Sequence, residues 1–226
     1  MNWHPSNKKE LNDFIKSVMS KKNEKINGVI VPHAGYQYSG KIAAKAYSYA
    51  HDFKKAIIFG PSHYESFKGL KCLKSASTPL GDLKIIKNGF EKINYEHSIQ
   101  NQLPFLKYLG VTEVLPLIVG DISLSEAESI AEKFKNFNGL FVFSTDLSHF
   151  LKDSDAKKVD SDSVSIIKKL KINDVERIDA CGINALKIFM QLARIKKFKP
   201  KLLAYENSSK TTGDAQSVVG YASFIF

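Results

Sequence analysis

The sequence predicts a single α/β domain over residues 1–226, with a central mixed or mostly parallel sheet flanked by helices. Three observations predict it. Short apolar runs alternate with stretches of helical period. No repeat or low-complexity linker interrupts them. Three of the apolar runs end in histidine-bearing loops and not in tight hairpin turns, as expected where a strand feeds a crossover connection.

Asn7 with Glu10 has the form of a capping box, and Leu11, Phe14, Ile15, Val18 and Met19 follow at helical spacing. A strand over 26–31 leads into Val31-Pro32-His33-Ala34-Gly35-Tyr36, and Ile42, Ala43, Ala46, Tyr47 and Ala50 mark a second helix. The run 56–59 is a buried strand that ends in Gly60-Pro61-Ser62-His63. Residues 69–74 and 79–86 alternate and read as an antiparallel excursion. A third helix is expected over 96–108, kinked at Pro104. Residues 114–119 form a strand, and Ser123 with Glu126 caps the next helix. Residues 140–144 form a strand ending in Ser144-Thr145-Asp146-Leu147-Ser148-His149. A helix over 159–170 comes next. Asp179 reads as the N-cap of another, which places Cys181 in its first turn, and strands over 201–205 and 217–226 close the chain.

The chain is 226 residues long with a net charge of +10, which raises the question of nucleic acid. The lysines, however, are spread in ones and twos along helix faces. Arginine occurs only as Arg177 and Arg194, and no nucleic-acid module is present. A solvated basic surface is expected, and nucleic acid is not the expected partner. No apolar run is long enough to span a bilayer and the first residues do not form a signal peptide, so a cytoplasmic protein with no membrane association is expected. Cys72 and Cys181 make no disulfide framework; Cys72 reads as a packed strand residue.

If the three strands are parallel, their loops share one sheet edge and His33, His63 and His149 can converge there. Cys181 enters the same argument, because a helix N-terminus favours the thiolate. Two histidines and a cysteine would make a three-ligand metal site with an open position. Asp146 is read as orienting a histidine, ligating metal or capping a turn. A metal-free alternative has Cys181 attacking with His149 as base.

The motifs around His33, Gly60-Pro61-Ser62-His63, Thr78-Pro79-Leu80-Gly81, Glu96-His97-Ser98-Ile99 with Gln102-Leu103-Pro104, Ser144 to Phe150, Asp179-Ala180-Cys181-Gly182 and Val218 to Ser223 together resemble the Memo family, whose prokaryotic members are called AmmeMemoRadiSam system protein B. The resemblance implies a LigB-like fold, that of the class III extradiol dioxygenases that use non-haem Fe(II). It implies His33, His63 and Cys181 as metal ligands and His149 as the acid/base residue, with Asp146 beside it. Iron is the expected metal, with copper or zinc as alternatives. The dioxygenases have a carboxylate where Cys181 stands, so a metal-dependent oxidoreductase is expected and ring cleavage itself is not. Gln100 departs from a family glutamate, and Glu96 and His97 are assigned no role. The implied partners are an unknown small molecule or peptide, and radical-SAM and AMMECR1-type proteins acting in the same pathway. A non-catalytic peptide- or protein-binding module that reuses the pocket is the alternative function.

Overall fold

Four parallel strands organise the molecule, and each is apolar along nearly its whole length because helices cover both its faces. In the computed structural model, which describes residues 3–226, these are β1 (Gly28–Val31), β2 (Lys55–Pro61), β6 (Glu113–Val119) and β7 (Leu140–Ser144). Smaller strands extend the sheet: β3 (Leu70–Leu73), β4 (Lys84–Ile85), β5 (Lys92–Ile93), β8 (His149–Leu151), β9 (Lys201–Asn207) and β10 (Val218–Ile225). The order is β5-β3-β6-β2-β7-β1-β10-β8, with β4 alongside β6 and β9 alongside β10. The β6-β2-β7-β1 block is parallel, while β3 and β10 run antiparallel at its two flanks. The mixed α/β sheet expected from sequence is therefore present.

One face of the sheet packs against α5 (Leu124–Phe134) and α7 (Ile183–Lys196), around Phe59, Phe143 and Phe189. The other carries α1 (Lys8–Val18), α2 (Lys41–Tyr47), α3 (His97–Gln100) and α4 (Leu103–Tyr108), around Leu11, Tyr47, Ile58 and Phe105. Two helix starts expected from sequence are capped where expected, one of them without the reciprocal Glu10 bond of a full capping box. Asn7 accepts from the amides of Lys9 and Glu10, and Ser123 with Glu126 forms a complete capping box. Cys72 is fully buried in β3, as expected. Among the described residues no helix is long and apolar enough to cross a membrane.

Four local expectations are corrected. β3 pairs with β6 and β5, while β4 pairs with β6 in parallel, so residues 69–86 do not form a hairpin with themselves. The third helix is two short ones, broken at Asn101 and Gln102 and not kinked at Pro104, which sits in the first turn of α4 where no amide is needed. Helix α6 (Asp153–Lys169) begins six residues earlier than the apolar pattern suggested, because its first turn is a polar one bearing Asp153 and Asp155. Asp179 is no N-cap: α7 starts at Ile183 behind Gly182, and Cys181 lies in the turn before it.

Candidate metal centre

Strands β2, β7 and β1 are parallel neighbours, so the loops after Pro61, Ser144 and Val31 emerge on one edge of the sheet. His33 is buried there at 2% exposure, and its backbone is fixed from two sides. Its N–H donates to Asp146 Oδ1 at 2.8 Å, and its carbonyl accepts from Asn101 Nδ2 at 2.6 Å. The turn containing Cys181 reaches the same edge from the opposite helical layer. Cys181 Sγ lies 3.3 Å from His33 Nε2 and accepts from the Asp146 amide at 3.3 Å. His33, His63 and Cys181 each offer one donor atom, and all three lie within 4.8 Å of one another. The predicted trio is thus brought together. Asp146 Oδ2 is 3.9 Å from His33 Nε2. His149 stands on the same loop at the start of β8, half-buried and outside the trio, near enough that its charge would act on both Asp146 and His33.

Glu96 and His97, left without a role by the sequence, sit against the trio. The Glu96 carboxylate is buried at 1% exposure, accepts from the His63 amide at 2.7 Å and from the Ser98 amide at 3.0 Å, and meets His63 Nδ1 at 2.9 Å. Gly60 makes this approach possible, since a Cβ there would lie 2.8 Å from Ser98 Oγ and hold α3 off β2. The His97 ring lies 4.3 Å from that of His63, stacks on Trp3 at 4.2 Å, and meets the Tyr64 hydroxyl at 3.0 Å through Nδ1. The sequence placed Glu96 at the start of a helix; nothing in its spacing tied it to His63.

Burial, with the neighbouring His63 and His97 rings, holds His33 well below its ordinary value, so the ring is neutral. Burial and His63 together push His97 down to about 4. Burial alone would raise the Glu96 carboxyl, but the hydrogen bonds from His63 and Ser98 outweigh it and keep it ionised. Burial raises Asp146. The expected lowering of the Cys181 thiol is reversed. Although the residue is half-buried, its sulfur sits among His33, Thr145 and Asp146, and burial followed by the Asp146 charge drives it up. In the metal-free chain Cys181 is a thiol hydrogen-bonding to a neutral imidazole.

A cavity of about 380 Å³ opens beside the trio, lined by His63, Tyr64, Glu65, Asp121, Cys181 and Asn184 among others. Although the chain is basic, none of the described residues lining it is a lysine or arginine.

The Memo-like protein family model matches residues 2–225. Relatives described as MEMO1 family proteins include one from Aquifex aeolicus, 30% identical over 99% of this chain and 96% of its own length. Another, from Sulfurisphaera tokodaii, is 34% identical over 87% of this chain and 81% of its own, and one from Thermoplasma acidophilum is 32% identical over 99% and 95%. With two strand-end histidines and a cysteine set in one cleft, and the family pattern running end to end, the chain belongs to the Memo family.

Proposed function

We propose that this protein binds a single metal ion through His33, His63 and Cys181, redox-active iron first and copper next with zinc as the redox-inert alternative, and that it is a metal-dependent oxidoreductase. One observation carries the reading: three donors of the right kind converge within 4.8 Å, and Nδ1 of His63 is already committed to Glu96. An ionised carboxylate can only accept, so His63 Nδ1 is the donor and its Nε2 keeps a lone pair. Carboxylate–histidine pairs of this kind orient and strengthen metal ligands. Bound there, iron would supply an open coordination position and one-electron chemistry.

The chain's own groups would then divide the remaining work. His149, half-buried on the loop that carries Asp146, is suited to move protons. Asp146 anchors the His33 and Ala34 amides and so ties the His149 loop to the His33 loop. Metal uptake requires the Cys181 thiol to lose its proton, so binding tightens as pH rises. Action beside radical-SAM and AMMECR1-type proteins in a reducing cytoplasm, where both free thiols persist, belongs to the same proposal.

Metal analysis of anaerobically purified protein tests it. Near-stoichiometric iron or copper, lost in both His33→Ala and Cys181→Ser, is the expected result. Zinc alone, lost in the same variants, overturns the redox part. No metal under any condition overturns the whole reading.

A second reading, the protein- or peptide-binding module, draws on the exposed aromatics near the cleft. Phe150 is 76% exposed beside His149, and Tyr64, which lines the cavity, packs edge to face on Tyr95, the two being 55% and 42% exposed. The metal-free hydrolase is disfavoured, because burial raises the Cys181 thiol and its neighbour is His33 and not His149.

A further inference from the structure

A neutral imidazole has one N–H and one lone pair, and only the lone pair can take a metal ion. Around His33 each hydrogen has a single possible place. The Pro32 carbonyl, 3.0 Å from Gln102 Nε2, can only accept, which orients the Gln102 amide. Its Nε2 also donates to Ser144 Oγ at 2.9 Å, and its Oε1 accepts from the Tyr47 hydroxyl at 2.9 Å. The Ser98 carbonyl likewise can only accept, so the one hydroxyl hydrogen of Ser144 goes to it at 2.6 Å. With its hydrogen committed, Ser144 Oγ can only receive from the remaining partner, His33 Nδ1 at 2.9 Å. His33 Nδ1 therefore bears the proton, and Nε2 presents its lone pair toward Cys181. Tyr47, Ser98, Gln102, Ser144 and His33 are all at most 2% exposed, so water does not compete for these bonds.

We propose that Ser144 is a positioning residue: its hydroxyl, aimed by the Ser98 carbonyl and Gln102, holds His33 in the Nδ1–H tautomer and keeps Nε2 free for the metal. Resting on the metal-binding reading above, it gives His33 the service that Glu96 gives His63, with a neutral hydroxyl in place of a carboxylate. The last residue of the central strand β7 thereby orients a ligand carried by the loop after the strand beside it.

Nitrogen-15 NMR of the chelator-treated, metal-free chain reads the tautomer directly. The wild-type His33 is expected to show a pyrrole-type Nδ1 and a pyridine-type Nε2 at neutral pH, and this measurement needs no variant to fold. In Ser144→Ala the His33 signals are expected to move toward the Nε2–H form while those of His63, held by Glu96, stay in place. Fe(II) added anaerobically is expected to bind that variant about 10–100-fold more weakly. An Nε2–H His33 in the wild type overturns the proposal even if metal binds tightly, as does a His33 spectrum unmoved by Ser144→Ala. A wild-type Nδ1–H His33 in a chain that takes up no metal leaves the Ser144 role standing and sinks the metal-binding reading alone.

Discussion

Glu96 concentrates several roles in one side chain. It caps α3, fixes the His63 backbone and accepts from the His63 ring. Glu96→Gln keeps the size but removes the charge, and its single oxygen cannot accept from both the amide and the ring of His63 as the carboxylate does. Metal affinity is expected to fall about 10–100-fold, read by competition with a chromophoric chelator. His97 gives a pH dependence. The unfolded chain protonates this ring near its ordinary value of about 6.5, whereas the folded chain holds it down to about 4. Between those values the unfolded state binds more protons, so stability falls as pH is lowered through the window. His33, also held down, adds the same sign, while Asp160, raised by burial, opposes it. In urea titrations of metal-free protein, His97→Asn is expected to lose less stability than the wild type between pH 6.5 and 4. An identical decline in both would remove His97 as the cause.

At the scale of elements, the His149 loop is held by helix α6. Asp160 accepts from the Ser148 amide at 3.0 Å and from the Tyr205 hydroxyl at 2.7 Å, and it rests directly on Gly220 of β10. A methyl group at position 220 would fall inside that carboxylate. Gly220→Ala is expected to cost about 1–3 kcal/mol in denaturant unfolding, as overpacking does, and to release the Ser148 amide to faster hydrogen exchange. The elements also show what sequence could carry. The histidine loops after β1, β2 and β7 were legible because a parallel block puts strand ends on one edge, a rule that needs no knowledge of side-chain contacts. The short strands β5 and β8, at two or three residues, have too little pattern to read. The break between α3 and α4 was hidden because Asn101 and Gln102 look like ordinary helix residues until their side chains are seen bonding to His33 and Pro32 carbonyls.

Across the whole molecule, the residue types of the candidate site were easier to find than their supports. Imidazole and thiolate are uncommon enough to stand out in a sequence; Ser144, Gln102 and Tyr47 are ordinary polar residues whose roles arise only when segments dozens of residues apart meet. The position of Cys181 was legible, its protonation was not, because a helix end favours the thiolate while burial beside Asp146 disfavours it, and burial wins. The three proposed ligands span 148 residues from His33 to Cys181, and no fragment of the chain holds them together. Metal affinity and global folding are therefore one linked equilibrium, and loading would register as heat resistance. At free metal about 100-fold above its dissociation constant, linkage adds about 2.7 kcal/mol, which for a chain this long raises the melting temperature by roughly 5–10 °C. Calorimetry with and without chelator is expected to show that rise in the wild type and its absence in Cys181→Ser, so a melting curve can screen metals before any substrate is known.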